Sequence, residues 1–265
     1  MKPAPFKYIA ADSLAEALAA KAEYGADARF LAGGQSLIPA MNFRLAQPAV
    51  LIDINALAEL DYVRQNGGVS IGALTRLRTL ERSALLGEAV RHVAHPQIRN
   101  RGTLGGNLCH ADPASELPAV ILALGARMRV RSSRGERSID AKSFFTGALT
   151  TALGDDEMLV EIECPPLPLR TGTAFLEVAR RRGDYAMMGV AALVTARKEA
   201  RLAFCNAGDT PVLVVLDASQ FADAPAHVQK AIDPRGNVHA TREFQRHLAG
   251  VLARRALDLA LERAR

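Results

Sequence analysis

Ala32-Gly33-Gly34-Gln35-Ser36 and, about seventy residues later, Thr103-Leu104-Gly105-Gly106-Asn107 carry most of the information in this chain. Each sets side-chain-free backbone beside a small hydroxyl residue, which lets main-chain N–H groups approach an anion such as a pyrophosphate. One such loop would say little. Here the second is preceded by Ile98-Arg99-Asn100-Arg101-Gly102 and followed by Asp112-Pro113-Ala114-Ser115-Glu116, and the two loops read as the lips of one nucleotide-cofactor cleft. The first lacks the lysine of a phosphate-binding P-loop and the spacing of a dinucleotide fingerprint, which argues against a nucleoside-triphosphatase or a Rossmann dehydrogenase.

Working outward, Ser13 to Glu16 forms a capping box, and Gly25 stands where a helix would stop, so a first helix is expected over about 13–24. A short strand from Arg29 to Leu31 runs into the first glycine pair, and Val50-Leu51-Ile52-Asp53-Ile54 reads as a buried strand of the same sheet. Tyr62 to Arg64 and Val69 to Ile71 flank Asn66-Gly67-Gly68 as a hairpin, because Asn-Gly supplies the positive φ of tight turns. Leu86, Val90 and Val93 follow helical spacing toward the second loop. Beyond it, Pro113 and Glu116 open a helix with Leu117, Val120, Ile121 and Leu124 on its apolar side.

Met128 to Arg131 and Ser138 to Asp140 form a second hairpin, and Met158 to Glu163 a further strand. Cys164-Pro165-Pro166-Leu167-Pro168 interrupts any ladder, since proline donates no backbone hydrogen bond, and the domain boundary is placed there. Ala174 to Arg180, Met188 to Thr195 and Arg201 to Cys205 then read as strands. A final helix from about Thr241 sets Phe244, Leu248, Val251, Leu252, Ala256 and Leu259 on one face.

Composition narrows the function. At 265 residues the chain has room for about two domains, and 23% charged with 49% apolar residues is ordinary for a globular protein. No apolar run approaches the roughly 18 residues of a membrane span, and the N-terminal residues lack an apolar signal core, so a cytoplasmic protein is expected. Cys109, Cys164 and Cys205 are too few and too scattered for a zinc site, an iron–sulfur cradle or a disulfide framework. The net charge of +5 raises the question of nucleic acid, but the arginines are dispersed and aromatic residues make up only 5%, which leaves few stacking platforms.

The remaining candidates are weaker. Asp112 and Glu116 lie four apart at an expected helix start, where carboxylates favour the macrodipole. His92, His95 and His110 bracket the second loop without metal-ligand spacing and read as structural. Arg180-Arg181-Arg182-Gly183-Asp184-Tyr185 is either a solvated turn or a mobile loop whose Tyr185 covers a planar ring. No nucleophilic set or acid–base pair can be assembled, so no catalytic residue and no metal ligand is assigned.

Taken together, Ala32 to Leu37, Ile98 to Leu108, Ala111-Asp112-Pro113-Ala114-Ser115-Glu116-Leu117-Pro118 and Gly183-Asp184-Tyr185-Ala186 resemble the FAD-binding medium subunit of molybdenum hydroxylases, the carbon monoxide dehydrogenase and xanthine dehydrogenase family. The resemblance runs nearly end to end. It implies an α+β fold: a two-part PCMH-type FAD-binding domain over residues 1–168, then a smaller C-terminal domain over 169–265 with an antiparallel sheet and helices.

Carried over residue by residue, the resemblance places Ala32, Gly33, Gly34, Gln35 and Ser36, with Thr103, Gly105, Gly106 and Asn107, on the pyrophosphate and ribitol of FAD. Leu31, Leu37 and Asp112 join the cofactor-binding set. Glu116 falls where relatives often have an Asp contacting the cofactor, Leu159 on a strand residue lining the flavin, and Tyr185 in the loop that shields the ring. Gln35 stands where some carbon monoxide dehydrogenases carry His, and Glu177 near a position where xanthine-type members carry Lys.

The function this implies is electron transfer, from an iron–sulfur small subunit through FAD to an external acceptor, beside a large subunit holding the molybdenum cofactor. The molybdenum and 2Fe-2S centres are expected only on those partners, in a dimer of heterotrimers, with neither nucleic acid nor a membrane span involved. A stand-alone flavoprotein oxidase or reductase of the same fold, or a flavin-free scaffold subunit, is the alternative.

Overall fold

The first glycine loop leaves a small parallel sheet in the computed structural model, which describes residues 2–264. β1 (Lys7–Ala10) and β2 (Ala28–Leu31) each pair parallel with β3 (Val50–Asp53) at the centre, so Val50, Leu51 and Ile52 are buried. α1 (Leu14–Tyr24) joins β1 to β2 and is capped as its sequence requires: Ser13 Oγ accepts from the Glu16 amide at 3.2 Å. Glu16 returns the bond to the Asp12 N–H at 2.9 Å, one residue before the cap itself. At the other end Gly25 takes φ +51°, and buried Lys21 donates to the Gly25 and Ala28 carbonyls at 2.5 and 2.8 Å. α2 (Leu37–Asn42) begins directly after the loop.

β4 (Val63–Gln65) and β5 (Val69–Gly72) form the first hairpin. Five short helices follow: α3 (Leu77–Leu80), α4 (Leu85–Val90), α5 (Pro96–Arg101), α6 (Leu104–His110) and α7 (Glu116–Leu124). The second hairpin, β6 (Arg127–Ser132) with β7 (Gly135–Asp140), leads to α8 (Ala141–Phe144) and the small pair β8 (Phe145–Gly147) and β9 (Thr150–Thr151). β10 (Met158–Cys164) then inserts between the two hairpins, giving the order β4-β5-β10-β6-β7.

After the proline run, β11 (Gly172–Ala179), β12 (Ala186–Val194), β13 (Ala200–Cys205) and β14 (Val212–Leu216) make an antiparallel meander, followed by α9 (Ala224–Ala231) and α10 (Arg242–Arg263). Period-two alternation gives this sheet two buried faces. Phe175, Ala191, Leu193, Ala203 and Cys205 share a core with α7, whereas Met188, Val190, Ala192, Leu202 and Phe204 share one with α10. α7 is buried along its whole length, and each fully covered Leu or Ile contributes about 1.5–3 kcal/mol.

Three expectations are corrected. α7 begins at Glu116, and Pro113 lies outside it in a turn where its carbonyl accepts from the Asn206 amide at 2.6 Å. The face that α10 buries carries Leu248, Ala249, Leu252, Ala253, Ala256, Leu257 and Ala260, while Phe244 is 43% exposed and Val251 and Leu259 are half-buried. Alanines win because the helix lies close on the sheet: a Cβ on Gly172 would meet the Ala260 carbonyl. The edge strands β1 and β14 complete sheets that the apolar pattern left one strand short.

Candidate functional site

The two glycine loops meet. A Cβ on Gly33 would run into the Arg101 carbonyl oxygen and lie 2.8 Å from Gly102 Cα, so only glycine lets the first loop seat against the chain entering the second. From the other side, a Cβ on Gly106 would sit 3.9 Å from Ala32 Cβ. Gly34 takes φ +72°, a conformation in which an L side chain would be strained.

Two residues that the sequence reading passed over hold this junction. Asn55, just past β3, donates from Nδ2 to the Leu31 and Ala32 carbonyls at 3.2 and 2.8 Å, and to Asp53 Oδ1 at 2.7 Å. Its Oδ1 accepts from Arg76 at 2.9 Å, and the same guanidinium donates to the Arg101 carbonyl at 2.5 Å. One Asn–Arg pair thus ties the end of β2 to the approach to the second loop. The available signal was an amide residue directly after a buried strand, where its side chain satisfies neighbouring backbone carbonyls.

The loops differ in what they leave free. Among the described residues, the N–H groups of Gly33, Gly34, Gln35 and Ser36 donate to no protein acceptor, although Gly33 is buried and Gly34 and Gln35 are half-buried. Such a run of unpaired donors costs free energy unless a ligand or water satisfies it. Gln35 turns its own Nε2 onto the Gly33 carbonyl at 2.9 Å. Leu37 opens α2 behind them.

The second glycine pair, expected as a loop, is the first turn of α6 behind its N-cap Thr103, and its amides are committed. Leu104 and Gly105 donate to the Thr75 and Ala73 carbonyls at 3.0 and 2.8 Å, and Gly106 donates to Thr103 Oγ1 at 3.0 Å, which caps α6. Gly105 is required by packing, since a Cβ there would lie 2.7 Å from both the Ala73 carbonyl oxygen and its Cβ. What this lip can offer a ligand is therefore an open surface at exposed Gly106, together with the half-buried Asn107 side chain, whose Oδ1 accepts from Ser115 Oγ at 2.9 Å.

Asn107 and Ser115 lead to the acidic group. Asp112 shapes the turn before α7, its Oδ1 accepting from the Ala114 amide at 2.9 Å. Glu116 is 4% exposed and lies opposite Glu177 of β11; burial first, and then the facing carboxyl, push its pKa up to about 8. Tyr185 is 64% exposed just before β12, and the pKa of its hydroxyl is raised by partial burial and then by the nearby Asp112 and Glu116. Gly183 folds the preceding loop back on α5, where a Cβ would lie 2.7 Å from the His95 ring. Leu159 is set apart from these groups: it is buried in β10 beside a bulge where the Val160 carbonyl accepts from the Ala73 amide at 3.0 Å. The structure thus brings the two loops together, with the Asp112, Glu116 and Tyr185 group linked through Asn107, and places Leu159 in the core beneath.

Comparison with known proteins accounts for this arrangement. Residues 4–167 match the family described as FAD binding domain in molybdopterin dehydrogenase, and residues 173–260 match the CO dehydrogenase flavoprotein C-terminal domain. The chain is 43% identical to caffeine dehydrogenase subunit beta of Pseudomonas sp. (strain CBB1), across 99% of this chain and 97% of that one. It is 36% identical to the carbon monoxide dehydrogenase medium chain of Hydrogenophaga pseudoflava, across 99% of each. Among solved structures, a chain of quinoline 2-oxidoreductase from Pseudomonas putida 86 superposes with a TM-score of 0.92 at 35% identity, covering 100% of this chain and 99% of that one. The chain belongs to the FAD-binding medium subunits of molybdenum hydroxylases of the carbon monoxide dehydrogenase and xanthine dehydrogenase type.

The residues present fit that cofactor. Four consecutive unpaired amides at a glycine loop suit a diphosphate, and bare Gly106 facing Ala32 keeps that side of the junction free of a side chain.

Proposed function

We propose that this chain carries FAD between the two glycine loops and passes electrons from an iron–sulfur partner through it to an external acceptor. The observation that carries this reading is the free Gly33–Ser36 amide run, held against the second loop by Asn55 and Arg76. In this reading Ala32 to Ser36, flanked by Leu31 and Leu37, take the diphosphate, while Thr103, Gly105, Gly106 and Asn107 form the opposite wall. Asp112, Glu116 and Tyr185 border the ring, with Leu159 supporting it from the core. A bound flavin accepts electrons singly and releases them in pairs, and the chain's own task is to grip and orient it.

The domain division follows the proline run: residues 1–168 hold the cofactor, and 169–265 brace α7 from behind. The molybdenum and 2Fe-2S centres belong to a large and a small partner subunit, and we place the chain in a cytoplasmic dimer of heterotrimers. The partner subunits are supported by relatives named as a subunit beta and a medium chain of dehydrogenases. Co-expression of the three chains tests it: the purified assembly should show flavin absorbance at one FAD per copy of this chain. A correctly assembled complex without flavin would overturn the proposal.

A further inference from the structure

Behind the cleft, α7 begins over one row of the C-terminal sheet. The register pairs Glu177 of β11 with Gly189 of β12, and Gly189 with Cys205 of β13. Alternation puts all three on the face turned toward α7, in line with Phe175, Ala191, Leu193 and Ala203. The glycine leaves the middle of the row bare, and the Cys205 thiol leans across it: a Cβ on Gly189 would lie 2.7 Å from Cys205 Sγ. Into this space project the Glu116 carboxyl from the first turn of α7 and the Glu177 carboxyl from the sheet.

The one basic group beside these carboxyls, among the described residues, is a half-exposed histidine. Glu177 is 3% exposed; its Oε2 has no hydrogen-bond partner among the described residues, and its Oε1 lies 3.5 Å from Nδ1 of His92, whose side chain is 40% exposed. Neither carboxyl pairs with a lysine or arginine among the described residues. The other groups facing Glu116 are anionic or neutral: Asp112 in the preceding turn, the Tyr185 hydroxyl in the β11–β12 loop and the Cys205 thiol. Burial drives the Cys205 thiol well above its ordinary range, so it adds no charge. Two carboxylates in such a place cannot both ionise cheaply, whereas one O–H between them satisfies the orphaned oxygen.

We propose that Glu116 and Glu177 share a single proton and that His92 connects the pair to solvent, so that the chain takes up a second proton there when its cofactor is reduced. This rests on the cleft being the FAD site. A bound flavin reduced by two electrons would take its own proton, and the acid pair would add one more on this chain's groups. One proton leaves bulk buffer, passes His92 and forms an O–H bond on the second carboxylate, taking the pair from one negative charge to none. On reoxidation that O–H breaks and the proton returns to solvent. His92, Glu116 and Glu177 here are positioning residues acting through charge.

The test uses the assembled complex with measured flavin occupancy. Proton uptake on two-electron reduction, followed in weak buffer with an indicator dye, should be greater near pH 7 in the wild type than in Glu177→Gln or Glu116→Gln. Equal uptake at equal occupancy would overturn the proposal. The oxidised complex, labelled with 13C at glutamate carboxyls, should also show at neutral pH the infrared carbonyl band of a protonated acid. Glu116→Gln should remove it, and its exchange into deuterated water should slow in His92→Phe. Absence of the band, or exchange unchanged in His92→Phe, would likewise contradict the proposal. The band requires no flavin, so a flavin-free wild type would sink the cofactor reading while the acid pair was still judged, and the labelled wild type decides the matter if a Gln variant fails to fold.

Discussion

Gly33 stands where any side chain would press into the Arg101 carbonyl, and the free amides after it are useful only while the two lips stay in contact. Asn55→Ala should loosen that contact by removing the bonds to the Leu31 and Ala32 carbonyls and orphaning part of Arg76. We expect a loss of about 1–3 kcal/mol in urea unfolding, with lower flavin occupancy. An unchanged midpoint and full occupancy would remove Asn55 from the account.

Glu116 gives a pH prediction. Its carboxyl is raised in the folded chain from the ordinary 4.5 to about 8, so it binds a proton over a range where the unfolded chain has lost it. Its stabilising contribution is complete below the ordinary value and is lost as pH rises through the folded one. Melting temperatures measured across that window should therefore fall more steeply in wild type than in Glu116→Gln; parallel curves would refute the assignment. The two glycine pairs were legible in the sequence because glycine leaves a local mark. Asn55 and Arg76 were not, since their partners lie across chain separations that no spacing rule encodes.

At the scale of elements, α10 separates two readings of one sequence. Apolar spacing points to Phe244, Leu248, Val251, Leu252, Ala256 and Leu259. Leu248, Leu252 and Ala256 are buried as expected, but the rest of the buried face is alanine with Leu257, where the helix lies close on the sheet at Ala260 and Gly172. Ala256→Leu should then cost about 1–3 kcal/mol by overpacking, whereas Phe244→Ala should stay within about 0.5 kcal/mol. The reverse order in chemical denaturation would restore the spacing rule. Most strands were legible from period and punctuation, but of the helices only α1, α4, α7 and α10 were. Helices α2, α3, α5, α6, α8 and α9 have eight residues or fewer, too few to show a clear helical period, and β1, β8, β9 and β14 are short strands completed by pairing.

For the whole molecule, α7 is the shared beam. It fills the core beneath the second loop on one side and the inner face of the C-terminal sheet on the other, so the Asp112 to Glu116 turn is fixed by both parts of the chain. That arrangement sets Glu177 and Tyr185, which follow the proline run, beside Glu116, which precedes it.

The central claim is that FAD lies between the glycine lips. Its most direct test is the absorbance spectrum of the assembled complex containing wild-type chain or Gly33→Val. We predict one flavin per wild-type copy and loss of the flavin bands from a variant complex that still assembles. Full flavin content in the variant, or none in the correctly assembled wild type, would contradict it.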